Sequence, residues 1–212
     1  MGDVDKIFAP VLGIPLIART LSHFESCSLI DEIVLVLSPA DQDQGREIVK
    51  EHNFSKVSSV CAGGKRRQDS VRNGLEKLRP CQWVMVHDGA RPGLDQSLLE
   101  RGLAAARETG AAVAGMPVKD TIKMVSAERL VTGTPPRESL WAAQTPQIFR
   151  YDLLRKAHRR CAETMTDDAA MVECLGHPVK MFPGSYENLK VTTPEDLVFI
   201  EILLSNRSAA NA

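Results

Sequence analysis

The reading of Trp83-Val84-Met85-Val86-His87-Asp88-Gly89-Ala90-Arg91-Pro92 decides the fold. Trp83 to Val86 is an apolar run with β-branched members, short enough for a fully buried strand. It ends in Asp88-Gly89, a turn signal. Asp88 is therefore expected at the carboxyl end of a buried strand, where open α/β sheets gather their ligands. A carboxylate there suits Mg²⁺, which prefers hard oxygen donors. Gly89, having no side chain, lets a ligand approach the backbone. The competing reading is an ordinary Asp-Gly turn with nothing bound. His87 reads as a packed or hydrogen-bonded histidine, and strand alternation turns it away from Asp88.

Outward from this stretch the chain alternates strand and helix. Before it, Leu16, Ile17, Thr20, Leu21 and Phe24 recur at helical spacing. Ile33–Leu37 is a buried strand and Gln44–Asn53 a helix with Ile48 and Val49 inward. Val57–Cys61 is a short strand, and Ser70–Leu78 a helix carrying Val71, Leu75 and Leu78. After it, Gln96–Thr109 is a helix stopped by Gly110, and Ala111–Met116 a strand stopped by Pro117. This order predicts an α/β fold: a mostly parallel sheet with helices on both faces. The alternation breaks at Asp120–Val125 and Leu130–Gly133, which read as a hairpin outside the sheet. An isolated hairpin is marginal in water, so it should pack on something, a second subunit included. Ser139–Gln147 returns as a strand, Tyr151–Ala162 and Asp167–Leu175 are helices, and Val179–Phe182 is a strand. Pro194–Leu204 is the final helix, with Ser205–Ala212 frayed beyond it.

The 212 residues fit one domain, taken as 1–212, with 118–138 as the projecting arm. At 43% hydrophobic and 25% charged, with a net charge of −1, the chain reads as soluble and shows no overall positive field for nucleic acid. No apolar run is long enough to span a bilayer, and Met1–Lys6 does not read as a signal peptide. Cys27, Cys61, Cys81, Cys161 and Cys174 form no C-x-x-C pair. Their odd number and wide spacing predict reduced, mostly buried thiols and a cytoplasmic location.

Two constellations point to an anionic ligand. Gly63-Gly64-Lys65-Arg66-Arg67 leads into a helix, so backbone N–H groups, the helix dipole and three cations converge. The same run also reads as an ordinary solvated loop. Lys6, Arg91, Arg137 and Lys190 stand at strand ends or in loops, as phosphoryl transfer requires, although isolated Lys and Arg side chains are mostly solvated. No Gly-x-Ser-x-Gly, Walker A or Gly-x-Gly-x-x-Gly pattern occurs, and the histidines lack metal spacing.

Taken together, the segments resemble the 2-C-methyl-D-erythritol 4-phosphate cytidylyltransferase family. The matching stretches are Asp5-Lys6, Gly13-Ile14-Pro15-Leu16, Gly63-Gly64-x-x-Arg67-x-x-Ser70-Val71 and Val86–Pro92. They continue with Pro117–Lys123, Thr145-Pro146-Gln147-x-Phe149 and Asn188-x-Lys190-Val191-Thr192-x-Pro194–Leu197, in family order. The resemblance implies a nucleotide-binding, Rossmann-like α/β sheet with a protruding β-arm, transfer of CMP from CTP to the methylerythritol phosphate, pyrophosphate release, Mg²⁺ and a homodimer built through the arm. It implies that Lys6 neutralises the CTP phosphates and that Gly63, Gly64 and Ser70 hold the base. Asp88 would bind Mg²⁺, with Gly89 and Arg91 beside the nucleotide. Thr121 and Arg137 would bind the sugar phosphate in the other subunit's site, and Lys190 would sit between the reacting phosphates.

Against the family pattern, Met1-Gly2 falls inside a Gly-rich loop that follows a first strand. The expectation is a chain weakened by two neighbouring strands with unpaired backbone, unless Lys6–Pro10 or water fills the gap. Lys65 stands where some relatives carry an acidic residue, and Gly89 where alanine is common. Two other readings remain: an acceptor such as ribitol 5-phosphate, and a catalytically silent nucleotide-binding protein.

Overall fold

Every strand of the main sheet but one points the same way, and the exception is the strand that returns from the arm. The computed structural model describes residues 6–210. Asp5, the Met1-Gly2 start and the last two residues of the Ser205–Ala212 tail lie outside the described residues. Lys6–Phe8 is a 3₁₀ turn, followed by β1 (Pro10–Val11) and β2 (Ile14–Pro15), which pair antiparallel. The turn between them holds Leu12 and Gly13 at φ 49° and 76°, the double positive φ of a tight hairpin. The sequence shows only a break at Gly13. The Lys6–Pro10 segment joins neither the four-stranded sheet nor the Ile33–Leu37 and Val57–Ala62 pair.

Helix α1 (Leu16–Ser26) buries Leu16, Ile17, Thr20, Leu21 and Phe24, as its spacing predicts. β3 (Ile33–Leu37), α2 (Gln42–Glu51) and β4 (Val57–Ala62) follow, with β3 and β4 parallel. α3 (Arg67–Leu75) begins three residues before the expected Ser70 and stops at Leu75. Its first turn is polar, so apolar spacing could not mark it. The turn is capped by the Asp69 carboxylate, which accepts from the Arg66 backbone N–H at 3.3 Å.

β5 (Trp83–Val86) leads to α4 (Gln96–Thr109). Asp95 caps α4 by accepting from Leu98 N–H at 2.8 Å, and Gly110 closes it at φ 89°. β6 (Ala111–Pro117) follows, then β7 (Met124–Val125) and β8 (Val131–Gly133), which pair only with each other. β9 (Trp141–Arg150), α5 (Tyr151–Arg160), α6 (Asp168–Glu173), β10 (Lys180–Pro183) and α7 (Pro194–Ala210) complete the chain. α7 runs through Ser205–Ala210, so that part of the expected frayed tail is helical.

The main sheet has the order β10-β6-β9-β5. β10 is parallel to β6, and β9 is antiparallel to both β6 and β5. The chain leaves β6 at Pro117, traverses the arm and returns, and that reversal inverts β9. Alternation along the strands splits the core. Ala112, Ala114 and Ile148 face Leu98, Leu99 and Ala106 of α4, whereas Ala111 and Phe149 face Leu154 and Ala157 of α5 and Met171 of α6. Helices thus cover both faces. β5 is not fully buried: Val84 is, but Trp83, Met85 and Val86 are half-buried. Among the described residues β5 is paired on one edge only, with β9, and β3 only with β4.

Candidate active site

Asp88 lies two residues past the end of β5, as the strand–turn reading predicts. Its backbone N–H donates to Thr145 Oγ1 on β9 at 3.0 Å. Thr145 Oγ1 also lies 3.1 Å from His87 Nδ1, and His87 Nε2 lies 3.1 Å from the Arg91 carbonyl. A carbonyl only accepts, so Nε2 carries the proton and Nδ1 accepts from the Thr145 hydroxyl. Burial pushes the His87 imidazole down to about 4, which favours this neutral form. His87 is thus a packed histidine, edge-on to Phe24, and it braces the Asp88 turn.

Three cations surround the Asp88 carboxylate, whose side chain is 16% exposed. Lys190 Nζ lies 3.1 Å from Oδ2, Arg91 Nε 3.2 Å from Oδ2, and Arg67 Nε 3.8 Å from Oδ1. Burial alone would raise the Asp88 carboxyl, but Lys190, Arg67 and Arg91 outweigh it and hold it below its usual range. The chain ends that supply these groups are stitched together. Val191 N–H donates to the Ala90 carbonyl at 2.9 Å, and Arg91 Nη1 to the Asn188 carbonyl at 2.8 Å. Lys6 Nζ donates to the Thr192 carbonyl, which draws the first described residue to the same loop. Four of the predicted residues (Lys6, Asp88, Arg91 and Lys190) therefore meet at one end of the sheet.

Beside them is a cleft of about 320 Å³ lined by Ile7, Val36, Leu37, Ser38, Gly63, Gly64 and Ser70. Gly63 N–H donates to the Leu37 carbonyl at 2.7 Å, and Gly64 N–H to Ser70 Oγ at 3.0 Å, so the glycine turn is pinned between β3 and α3. A Cβ on Gly63 would stand 2.8 Å from Ser70 Oγ, and one on Gly64 would stand 2.3 Å from Asp69 Cβ. Gly89 packs against Ile17, where a Cβ would meet only the tip of that side chain at 2.6 Å. A cleft of about 340 Å³ along α5, lined by Arg155, Lys156, Arg159 and Arg160, contains none of the predicted residues.

Thr121 and Arg137 are not brought to this cluster. Both are exposed, and Arg137 Nη1 donates to the Lys119 carbonyl at 2.8 Å. The arm also carries bare apolar side chains, with Met124 and Val125 each 55% and Leu130 68% exposed.

Sequence reading missed the groups behind Asp88. Arg67 Nη1 is 2.6 Å from Asp168 Oδ2, and Asp168 is fully buried with His158 Nε2 3.1 Å from its other oxygen. Gln147 fastens this region to β9, donating to Asp167 Oδ2 at 2.8 Å and accepting from Ala169 N–H at 3.1 Å. Arg67 stood inside the quoted Gly63–Ser70 stretch, but nothing in spacing could pair it with residues a hundred positions on.

Among the described residues no three His, Cys, Asp or Glu side chains converge as a metal cage. Asp168 is enclosed, so Asp88, 16% exposed, is the accessible carboxylate of the cation cluster. Mg²⁺ characteristically takes one or two protein carboxylates and completes its shell with substrate phosphates and water. The donor set therefore fits a Mg²⁺ ion that arrives with a polyphosphate, and does not fit a free-standing metal centre.

A family description, 2-C-methyl-D-erythritol 4-phosphate cytidylyltransferase, matches residues 1–206. A protein of that name from Dehalococcoides mccartyi is 54% identical over 204 residues, covering 96% of this chain and 90% of the relative. One from Alkaliphilus oremlandii is 41% identical over 210 residues, covering 97% and 89%. Among solved structures, the Thermus thermophilus 2-C-methyl-D-erythritol 4-phosphate cytidylyltransferase superimposes with a TM-score of 0.79 at 36% identity, covering 94% of each chain.

Proposed function

The chain belongs to the 2-C-methyl-D-erythritol 4-phosphate cytidylyltransferase family, and from that premise we propose how its residues carry out the reaction. It is a cytidylyltransferase of isoprenoid precursor synthesis, taking CTP and 2-C-methyl-D-erythritol 4-phosphate as substrates. An oxygen of the sugar phosphate attacks the α-phosphorus of CTP. The bond from that phosphorus to the bridging oxygen breaks, and pyrophosphate leaves. The attacking phosphate monoester has a second pKa of about 6, so it is largely dianionic near neutral pH and needs no general base. The barrier is instead the approach of two anions, and it falls to fixed cations.

The observation that carries this reading is the pairing of Lys190 and Arg91 with Asp88, with Lys6 bonded to the Thr192 carbonyl of the adjoining loop, beside the cleft of Gly63, Gly64 and Ser70. Gly63, Gly64 and Ser70 receive the cytosine base, and Gly89 with Arg91 lines the nucleotide. Lys6 neutralises the triphosphate. Lys190 leaves Asp88 for the two reacting phosphates. Asp88 would hold Mg²⁺, which when bound would supply charge neutralisation at the polyphosphate. Thr121 and Arg137 of a second copy bind the sugar phosphate, and residues 118–138 are the arm that makes the homodimer. The bare apolar side chains on that arm support this. No helix among the described residues is long and apolar enough to cross a membrane. We place the enzyme in the cytoplasm on the strength of its unpaired cysteines.

The test is pyrophosphate release from CTP with each of two acceptors. Release with 2-C-methyl-D-erythritol 4-phosphate and none with ribitol 5-phosphate is expected. Release with ribitol 5-phosphate alone overturns the acceptor assignment, and release with neither overturns the catalytic one.

A further inference from the structure

We propose that Arg67 is a positioning residue, tying Asp88 to the buried Asp168 and setting the rotation of the Asp88 carboxylate in the site. This rests on the reading of Asp88 given above. Lys190 and Arg91 both approach one oxygen, Oδ2. Two partners on one oxygen hold the tilt of the carboxylate plane from one side only. Arg67 Nε lies 3.8 Å from the other oxygen, Oδ1, on the side of α3, and its charge biases the tilt of the plane toward it.

The brace is itself anchored. Arg67 Nη1 pairs with Asp168 at 2.6 Å, and Asp168 is 0% exposed with His158 on its second oxygen. Asp168 opens α6, whose start is fastened to β9 through Gln147. Burial by itself would lower the Arg67 guanidinium, but Asp168 and then Asp88 outweigh it and raise it, so it stays charged. A planar guanidinium reaches two carboxylates at once, which an ammonium cannot do with the same directionality. The Asp168 charge also offsets that of Arg67. The arginine can therefore steer Asp88 without adding an uncompensated third cation where a metal ion has to arrive. That distinguishes it from Lys190 and Arg91, whose ion pairs among the described residues are with Asp88 alone.

The test separates positioning from support of the fold. Arg67→Gln strands the Asp168 charge in the interior, so it should lower the thermal midpoint as well as turnover. Arg67→Gln combined with Asp168→Asn removes both charges and should recover the midpoint. If Arg67 positions Asp88, the double variant keeps a kcat about 10- to 100-fold below wild type, the scale expected when a reacting constellation is slightly misplaced. Its Mn²⁺ affinity in the presence of CTP, read by electron paramagnetic resonance, also stays weakened. A double variant with wild-type kcat and wild-type Mn²⁺ affinity overturns the proposal. Should Arg67→Gln fail to fold, Arg67→Lys serves: a normal midpoint with reduced kcat supports the proposal, and a normal kcat overturns it. Asp88→Ala is the control. Unchanged Mn²⁺ affinity in Asp88→Ala overturns the metal role of Asp88 alone, and Arg67 is then decided by kcat in the double variant.

Discussion

The Asp88 end of the sheet and the β7–β8 arm are opposite ways of building a site. Around Asp88, every charged group has a partner from a distant part of the chain: Lys190, Arg91 and Arg67 on the carboxylate, Asp168 behind Arg67, and Asn188 behind Arg91. The arm has its own two-stranded ladder and little else, with Met124, Val125, Leu130 and Val131 bare. The difference follows from enclosure. A carboxylate out of water must be paired, so the first region is completed internally. Apolar side chains on a two-stranded ribbon have no core of their own, so the second is completed by another surface.

Four experiments press on that contrast. The largest effect is expected from Asp88→Ala. Turnover should fall by about 10²–10³-fold or more, the scale seen when a preorganised electrostatic group is removed. The fold should remain, but the thermal midpoint should also fall, because Arg91, 12% exposed and held by the Asn188 carbonyl, loses its carboxylate. Near wild-type turnover would mean that the paired cluster is structural only.

Deleting Asp120–Gly133 should come next. Light scattering should report monomers, and turnover should drop along with the loss of Thr121, while the midpoint of the remaining fold stays close to that of the intact protein. A deletion variant that remains dimeric would remove the arm from the interface.

Acid should separate the two regions more gently. His87 is held down to about 4 by burial, and His23 is lowered by burial and by Arg207. Both lie below the unfolded value near 6.5. As pH falls below that value, the unfolded chain binds protons that the native state does not. Stability is therefore full above pH 6.5 and declines below it, by up to about 1.4 kcal/mol per pH unit for each imidazole. The decline from His87 ends near pH 4. Denaturant midpoints between pH 7 and 4 should show this slope, and His23→Gln should flatten it. The arm carries no histidine, so an arm-deleted protein should keep the same slope.

The smallest effect is expected at Gly89. A methyl group there meets only the Ile17 side-chain tip, so Gly89→Ala should change the KM for CTP by less than about twofold. Gly63→Ala, which presses on Ser70 Oγ, should raise it by about tenfold, in line with loss of a contact worth about 1.4 kcal/mol. Equal effects at the two glycines would contradict the assignment of the base to the Gly63 cleft.

Much of this was legible in the sequence where a single periodicity governed a segment. Gln96–Thr109 with its Gly110 stop, and Ile33–Leu37 as a strand, follow from local spacing. Asp88 at a strand end follows from the apolar run and the Asp-Gly turn. Its surroundings do not. The first turn of α3 is polar and gives no apolar signal, so Arg67 reads as one of three cations for an anionic ligand and not as a partner of Asp88. The Arg67–Asp168 pair depends on α6 lying beside α3, a relation of packing that no window of residues contains. The inversion of β9 likewise arises from the route through the arm rather than from its own residues. The exposure of β5 comes from its place at one edge of its sheet, and a strand's apolar run does not disclose how many neighbours it will have.

The hydrogen bond from Val191 N–H to the Ala90 carbonyl bears on the order in which the molecule assembles. It closes a very long loop, as does the Arg91–Asn188 bond, whose members stand 97 positions apart. Contacts of such separation form late, because the entropy of closing the intervening chain is spent before they return anything. During synthesis the strand bearing Asp88 is available well before Lys190 leaves the ribosome. A nascent chain can therefore complete the glycine cleft while its phosphate-handling cations are still unassembled. Activity appears only when the last part of the chain has docked, so catalysis by this protein reports that its folding is finished.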